Sequence, residues 1–257
     1  MKIFVCIKQV PDTETKIKIS PELSGIDTNS VKWIINPYDD YALEEAVKLK
    51  ESIPGSSVTV FSIGPKKRVI DSLRTAFAKG ADEGVVIDAP DFIDSLLTSK
   101  ALAAAIKKEG DFDLIIAGKS ALDDNASSVG PMLAQILSIP HTSVVSKLTI
   151  SENTYVAERE VEGGTIEIAQ MKGPSLITAT KGLNTPRFAS LPAIMKAKSK
   201  PIKELDLGIL GIDANSSTKF TQFRLPPEKP ATKIISGDVS TQVHELVRLL
   251  RDEAKAL

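Results

Sequence analysis

Ser57-Val58-Thr59-Val60-Phe61-Ser62-Ile63 is the run on which the fold turns. Its apolar and β-branched residues occupy both parities of an extended chain, so a strand here has two faces to cover. Four further runs share that character: Phe4 to Val10, Val31 to Ile35, Gly84-Val85-Val86-Ile87 and Leu114-Ile115-Ile116-Ala117. Between them lie segments of helical spacing. These are Tyr38 to Lys50, with Leu43, Ala46, Val47 and Leu49, then Arg68 to Lys79, Ile93 to Lys108 and Met132 to Leu137. Such alternation predicts an α/β fold, a mostly parallel sheet with helices on both faces.

The helix ends carry their own signals. In Asn36-Pro37-Tyr38-Asp39-Asp40 a cap residue precedes a proline at the first helical position, and acidic groups come next in the first turn. Lys79-Gly80-Ala81 reads as a glycine stop. After about residue 140 the period changes to two. Val144 to Ile150, Thr154 to Val161 and Thr165 to Met171 alternate apolar and polar residues around turn candidates at 151–153 and 163–164, which predicts a small antiparallel extension. From Pro186 to Pro230 the chain carries six of its 15 prolines without a sustained period, and it reads as an extended arm. Helical spacing returns from Thr241 to Ala256. The expected division is 1–185 for the α/β domain with its extension, 186–235 for a loop and arm, and 236–257 for a terminal helix.

At 257 residues with 42% hydrophobic content, the chain is long enough for one large buried core. Its net charge of −1 provides no global attraction to nucleic acid or to an acidic membrane. No stretch approaches the roughly 18 apolar residues of a membrane span, and the apolar start is too short for a secretion signal, so a cytoplasmic or matrix compartment is expected. Cys6 is the only cysteine and cannot close an internal disulfide; with two separated histidines it offers no metal cage. No structural metal and no nucleophile-base pair are expected.

In open parallel sheets of Rossmann-like layers, adenine nucleotides and similar ligands bind beyond the carboxyl ends of the strands. Four loops fall there: 8–12, 36–39, 63–65 and, richest in small and polar residues, Gly118-Lys119-Ser120-Ala121-Leu122-Asp123-Asp124-Asn125-Ala126-Ser127-Ser128-Val129-Gly130-Pro131. The last opens a helix at about Ser127 or Ser128, where free amides suit a phosphate. It equally reads as an ordinary serine cap, because it lacks the dinucleotide and P-loop spacings. Asp123 and Asp124 would repel a phosphate and are expected to face away or cap the turn. Asn36 reads as a simple cap, and Cys6 as a small buried hydrophobe.

A second informative stretch is Pro186-Arg187-Phe188-Ala189-Ser190-Leu191-Pro192-Ala193-Ile194-Met195-Lys196-Ala197-Lys198-Ser199-Lys200-Pro201. Leu191, Ile194 and Met195 stand at i, i+3 and i+4, with alternate lysines after them. A short helical turn with an apolar knob and a basic rim is a plausible docking device; a turn packed on its own core is the alternative.

Together these regions resemble the β (small) subunit of electron-transfer flavoproteins. The resemblance runs through Phe4 to Asp12, Asn36 to Asp39, Glu44-Glu45-Ala46, Gly118 to Pro131, Glu158-Arg159-Glu160-Val161-Glu162-Gly163-Gly164 and Pro186 to Lys200, and leaves out the last fifty or so residues. It implies an electron carrier rather than an enzyme complete in itself. The implied partner is a larger α subunit, and the heterodimer holds one redox-active FAD mostly in that subunit. An AMP of structural role is implied in this chain, with contacts at Cys6, at Asn36, Pro37, Tyr38 and Asp39, at Ile63, and along Gly118 to Val129. Amides near Ala126 to Val129 would meet the phosphate.

The same resemblance makes Leu191 the anchor for acyl-CoA dehydrogenases of fatty-acid oxidation, with Ile194, Met195 and Lys196 beside it. Electrons then pass to a membrane quinone oxidoreductase. Ser127-Ser128-Val129-Gly130-Pro131 is closer to the electron-bifurcating branch, whose β subunit carries a second FAD in place of AMP and oxidises NADH, and this alternative stays open. Thr13 stands where animal members have a tyrosine near the flavin, so no FAD contact is assigned there.

Overall fold

The computed structural model describes residues 1–22, 25–29, 31–218, 220–229 and 231–257. In chain order the elements are β1 (Lys2–Cys6), β2 (Gln9–Pro11), β3 (Trp33–Ile35), α1 (Pro37–Ser52), β4 (Ser57–Gly64), α2 (Lys66–Lys79), β5 (Glu83–Asp88), α3 (Ser95–Glu109) and β6 (Leu114–Gly118). After these come α4 (Val129–Leu137), β7 (His141–Ser151), β8 (Thr154–Glu160), β9 (Ile166–Lys172), β10 (Ser175–Ala179), α5 (Leu191–Ala197), β11 (Lys203–Asp206) and α6 (Val239–Arg248). Nine strands join one sheet in the order β11-β5-β4-β1-β6-β10-β7-β8-β9. It is parallel from β11 to β7 and antiparallel through β8 and β9.

The two parities of each central strand feed two cores. Ile3, Val5, Val58, Val60, Leu114 and Ile116 pack with Leu43 and Val47 of α1 and with Leu73 and Phe77 of α2. Phe4, Cys6, Phe61, Ile115 and Ala117 pack with Leu102 and Ile106 of α3 and with Leu133 of α4. This is why the runs read as continuously apolar: neither face of these central strands meets water.

Three sequence expectations are corrected. Phe4 to Val10 is not one strand, and Val31 to Ile35 contributes no strand to the large sheet. The chain leaves the sheet after Cys6 because Lys8 is used by other groups: its amide donates to the Asp39 carboxylate at 2.6 Å and its carbonyl accepts from Asn36 N at 2.9 Å. Gln9–Pro11 then pairs antiparallel with Trp33–Ile35 in a separate two-stranded ribbon. Second, β10, unread in the sequence, lies between β6 and β7 with all five residues buried and joins the antiparallel extension to the parallel core.

Third, the arm has structure at its start. α5 packs on α2, and β11 closes the far edge of the sheet beside β5. Beyond, among the described residues of 213–235, there is neither helix nor strand; Lys219 and Pro230 lie outside the described residues. The terminal helix is α6, continued by one wider turn at Leu249–Glu253, and neither buries a residue.

Candidate nucleotide crevice

The chain builds β1, β4 and β5 outward in one direction and then returns to place β6 on the other side of β1. Neighbouring loops therefore diverge beyond the ends of β1 and β6, and the candidate crevice is the place where Cys6 to Lys8 meets Gly118 to Lys119. α1 begins against this opening, and its first turn supplies the groups that shape it.

Asp39, in that first turn, is buried and staples the two strand ends together. One carboxylate oxygen accepts from Lys8 N at 2.6 Å and the other from Gly118 N at 2.9 Å. Burial pushes its carboxyl up, to about 7, against the opposing pull of those two amides, the Asn36 side chain and the Lys8 ammonium. Burial also raises the Cys6 thiol, to about 12, with the Asp39 charge adding to the effect. Such a thiol is inert as a nucleophile at neutral pH.

Asn36 is fully buried, but its side chain makes no cap bond to α1. It crosses instead to the fourth loop, donating to Ser120 O at 2.8 Å and accepting from Leu122 N at 3.2 Å. The cap reading of Asn36 is thus corrected: its carbonyl accepts from the Asp39 and Asp40 amides, while its side chain holds the 118–122 segment in place.

Lys8, to which sequence reading gave no role, spans the mouth. Its ammonium lies 2.8 Å from Asp123 and 3.0 Å from Asp124. Burial pulls this ammonium down, but the two carboxylates outweigh it and hold the group above its ordinary value. The single ammonium offsets one of their two charges and draws both carboxylates toward itself, which weakens the repulsion an anion farther along the loop would meet. Asp124 also caps the turn by accepting from Ala126 N at 3.0 Å. Lys119 stacks over the Tyr38 ring at 4.7 Å, and its amide donates to Ala179 O. Pro37 opens α1 beside it, and Ile63, next to last in β4, is half-buried against the α3 and α4 core.

Ala121 to Ser127 form the outer rim, mostly exposed. Asn125 and Ser127 have left-handed φ values of 54° and 52°, while Ser128 is right-handed. A left-handed residue followed by a right-handed one turns successive N–H groups to the same side, a concavity that suits an anion. The Ala126 amide is taken by Asp124, so the open donors narrow to Ser127, Ser128 and the start of α4 at Val129. The Ser127 and Ser128 amides donate to no described group, and the Ser128 side chain makes no cap bond. A phosphate fits this arrangement: unpaired amides at a helix start, beside two carboxylates whose charge Lys8 halves.

Leu191, Ile194, Met195 and Lys196 stand apart from the crevice, on α5. Leu191 is 73% exposed and Met195 59%, while only Ala197 of that helix is buried. Lys196 and Lys198 face solvent. Lys200 does not belong to the rim, because its ammonium donates to the Ala81 and Asp82 carbonyls at 2.8 and 3.0 Å.

Residues 24–210 match the family model described as the electron transfer flavoprotein domain. The chain belongs to the electron transfer flavoprotein family. Among its relatives is the electron transfer flavoprotein subunit beta of Bacillus subtilis, 42% identical over the whole of both chains. The mitochondrial subunit beta of Arabidopsis thaliana is 38% identical over 99% of each chain. The human subunit beta is 36% identical over 90% of this chain and 91% of its own. The chain is thus a β subunit of an electron transfer flavoprotein, and no described helix is long and apolar enough to cross a membrane.

Proposed function

We propose that this β subunit pairs with a larger α subunit, shares one FAD held mostly by that partner, and binds a structural AMP in the crevice between β1 and β6. The flavin, when bound, supplies the electron-accepting chemistry. This chain's own residues bind and orient. Ser127, Ser128 and Val129 offer amides to the phosphate, Lys8 draws in Asp123 and Asp124 and offsets one of their charges, and Asn36 and Asp39 hold the walls. Cys6, Pro37, Tyr38, Ile63 and the Gly118 to Ala126 rim complete the site. The observation that carries this reading is the pair of unpaired amides at Ser127 and Ser128 beside an acidic turn drawn onto Lys8.

In the same reading residues 1–185 hold nucleotide, 186–235 dock partners and reach outward, and 236–257 form the terminal helix. Acyl-CoA dehydrogenases dock on Leu191, Ile194, Met195 and Lys196, and electrons pass on to a membrane quinone oxidoreductase, in a bacterial cytoplasm or a mitochondrial matrix. The exposed apolar knob on α5 supports this. A second reading, favoured by Val129-Gly130-Pro131 at the start of α4, is an electron-bifurcating subunit carrying a second FAD and oxidising NADH.

Denaturing the purified heterodimer and quantifying released nucleotide separates the two. One FAD and one AMP are expected; two FAD, no AMP and flavin reduction by NADH would select the bifurcating form. Truncating the knob tests docking. Leu191→Ala is expected to cost about 2 kcal/mol of partner affinity, roughly thirtyfold, with flavin content unchanged. An unaltered rate of electron acceptance at limiting carrier concentration would remove Leu191 from that role.

A further inference from the structure

Glu44 and Glu45 lie on the core side of α1, between Leu43 and Ala46, and both are almost fully buried. A carboxylate withdrawn from water requires a cation or several N–H donors. Glu44 obtains both from one residue. Arg187 reaches it through its backbone N at 3.0 Å, Nε at 2.9 Å and Nη2 at 3.0 Å. The same guanidinium donates to Glu51, one helical stretch farther along α1, from Nη1 at 2.6 Å and Nη2 at 2.9 Å. Beside it Asn184 Nδ2 donates to Glu45 at 2.9 Å and to Tyr41 O at 3.0 Å.

The segment after Arg187 rests on α2 through Ala193 and Ala197, with its other side open. Phe188 is 98% exposed, and α5 is a seven-residue helix, too short to be stable by itself. Its far end is fastened too: Arg74 donates to Ala197 O at 2.8 Å and to Lys200 O. α5 thus lies on α2 with an arginine contact at each end, and its Leu191, Ile194 and Met195 side is exposed. Of these, the Arg187 clamp lies nearer to Leu191 and grips a rigid helix with both edges of its guanidinium.

We propose that Arg187 is a positioning residue for partner docking: its clamp on Glu44 and Glu51 presets the Leu191, Ile194 and Met195 face, so that a partner need not order it on binding. The inference rests on the docking reading of α5. It assigns to Arg187 no contact with the partner.

The test uses the intact heterodimer with a purified acyl-CoA dehydrogenase as electron donor. It measures the carrier concentration giving half-maximal rate, the rate at saturation and the flavin content. Arg187→Ala is expected to raise the half-saturating concentration about tenfold and leave the saturated rate and flavin unchanged. Arg187→Lys, a single point charge that cannot engage both carboxylates as a fork does, is expected to fall between. In a Leu191→Ala background, Arg187→Ala is expected to add almost nothing, because it acts through the knob.

Effects that multiply independently would overturn the proposal, as would a normal half-saturation in Arg187→Ala while Leu191→Ala raises it. If Leu191→Ala itself changed nothing, the docking reading would fall and the inference with it. Should Arg187→Ala lose its flavin, Glu51→Gln removes only the exposed acceptor's charge. It is expected to raise half-saturation about threefold, and an unchanged value there would overturn the proposal.

Discussion

Gly118→Ala is expected to cost about 3 kcal/mol of stability and, on the proposed AMP reading, to release the nucleotide. A Cβ at this position would overlap an Asp39 carboxylate oxygen and lie 2.8 Å from both Asp39 N and the Tyr38 carbonyl carbon. The carboxylate could swing away only by abandoning the Gly118 and Lys8 amides; the α1 backbone could retreat only by leaving the sheet. Removing the Asp39 side chain as well would relieve the closest contact but neither backbone contact, so the double variant is expected to remain poorly stable. Urea unfolding of each variant, with nucleotide released from the purified heterodimer as the second measurement, decides this. A Gly118→Ala protein with normal stability and full nucleotide would show that α1 can shift outward freely.

Asp39→Ala is expected to destabilise by about 2–4 kcal/mol, because it strands two amide donors at the ends of adjacent strands, each worth about 1–3 kcal/mol when left unpaired. Asp39→Asn isolates the charge. The folded carboxyl is raised to about 7 from an ordinary value near 3.8, so between those values the folded state binds more proton than the unfolded chain. The stability contributed by that extra proton is fully present below about pH 4 and is lost as pH rises through 7. The wild-type advantage over Asp39→Asn should therefore shrink from pH 5 to pH 8. An advantage that grew over that range would place the folded pKa below the unfolded one. The groups facing Asp39 are the Cys6 thiol, the Lys8 ammonium and the Asn36 amide, and of these only Lys8 carries charge at neutral pH.

The candidate site could be proposed from the sequence because a loop leaving a buried strand and opening a helix has a compositional signature. Residues 118–131 carry it. The groups that shape that loop were not legible, since no periodicity links residues far apart in the chain. The Asn36 side chain meets Ser120 across 84 positions, and Lys8 meets Asp123 across 115. Glu44 signalled something different: a carboxylate among Leu43, Ala46 and Val47 demands a partner, but its identity as Arg187 emerges only when the chain folds back 143 positions later.

The sequence by itself determined the layered α/β class, the antiparallel extension and the placing of most helices, because burial on one or both faces writes a period of two or 3.6 into neighbouring residues. Only the tertiary structure decided that Gln9–Pro11 and Trp33–Ile35 leave the main sheet, that Ser175–Ala179 enters it, and that Lys203–Asp206 closes its edge. Each of those segments has three to five residues, too few for a period to declare itself. Their fate depends on which distant backbone and side-chain groups claim their N–H and C=O, and a linear sequence does not state that.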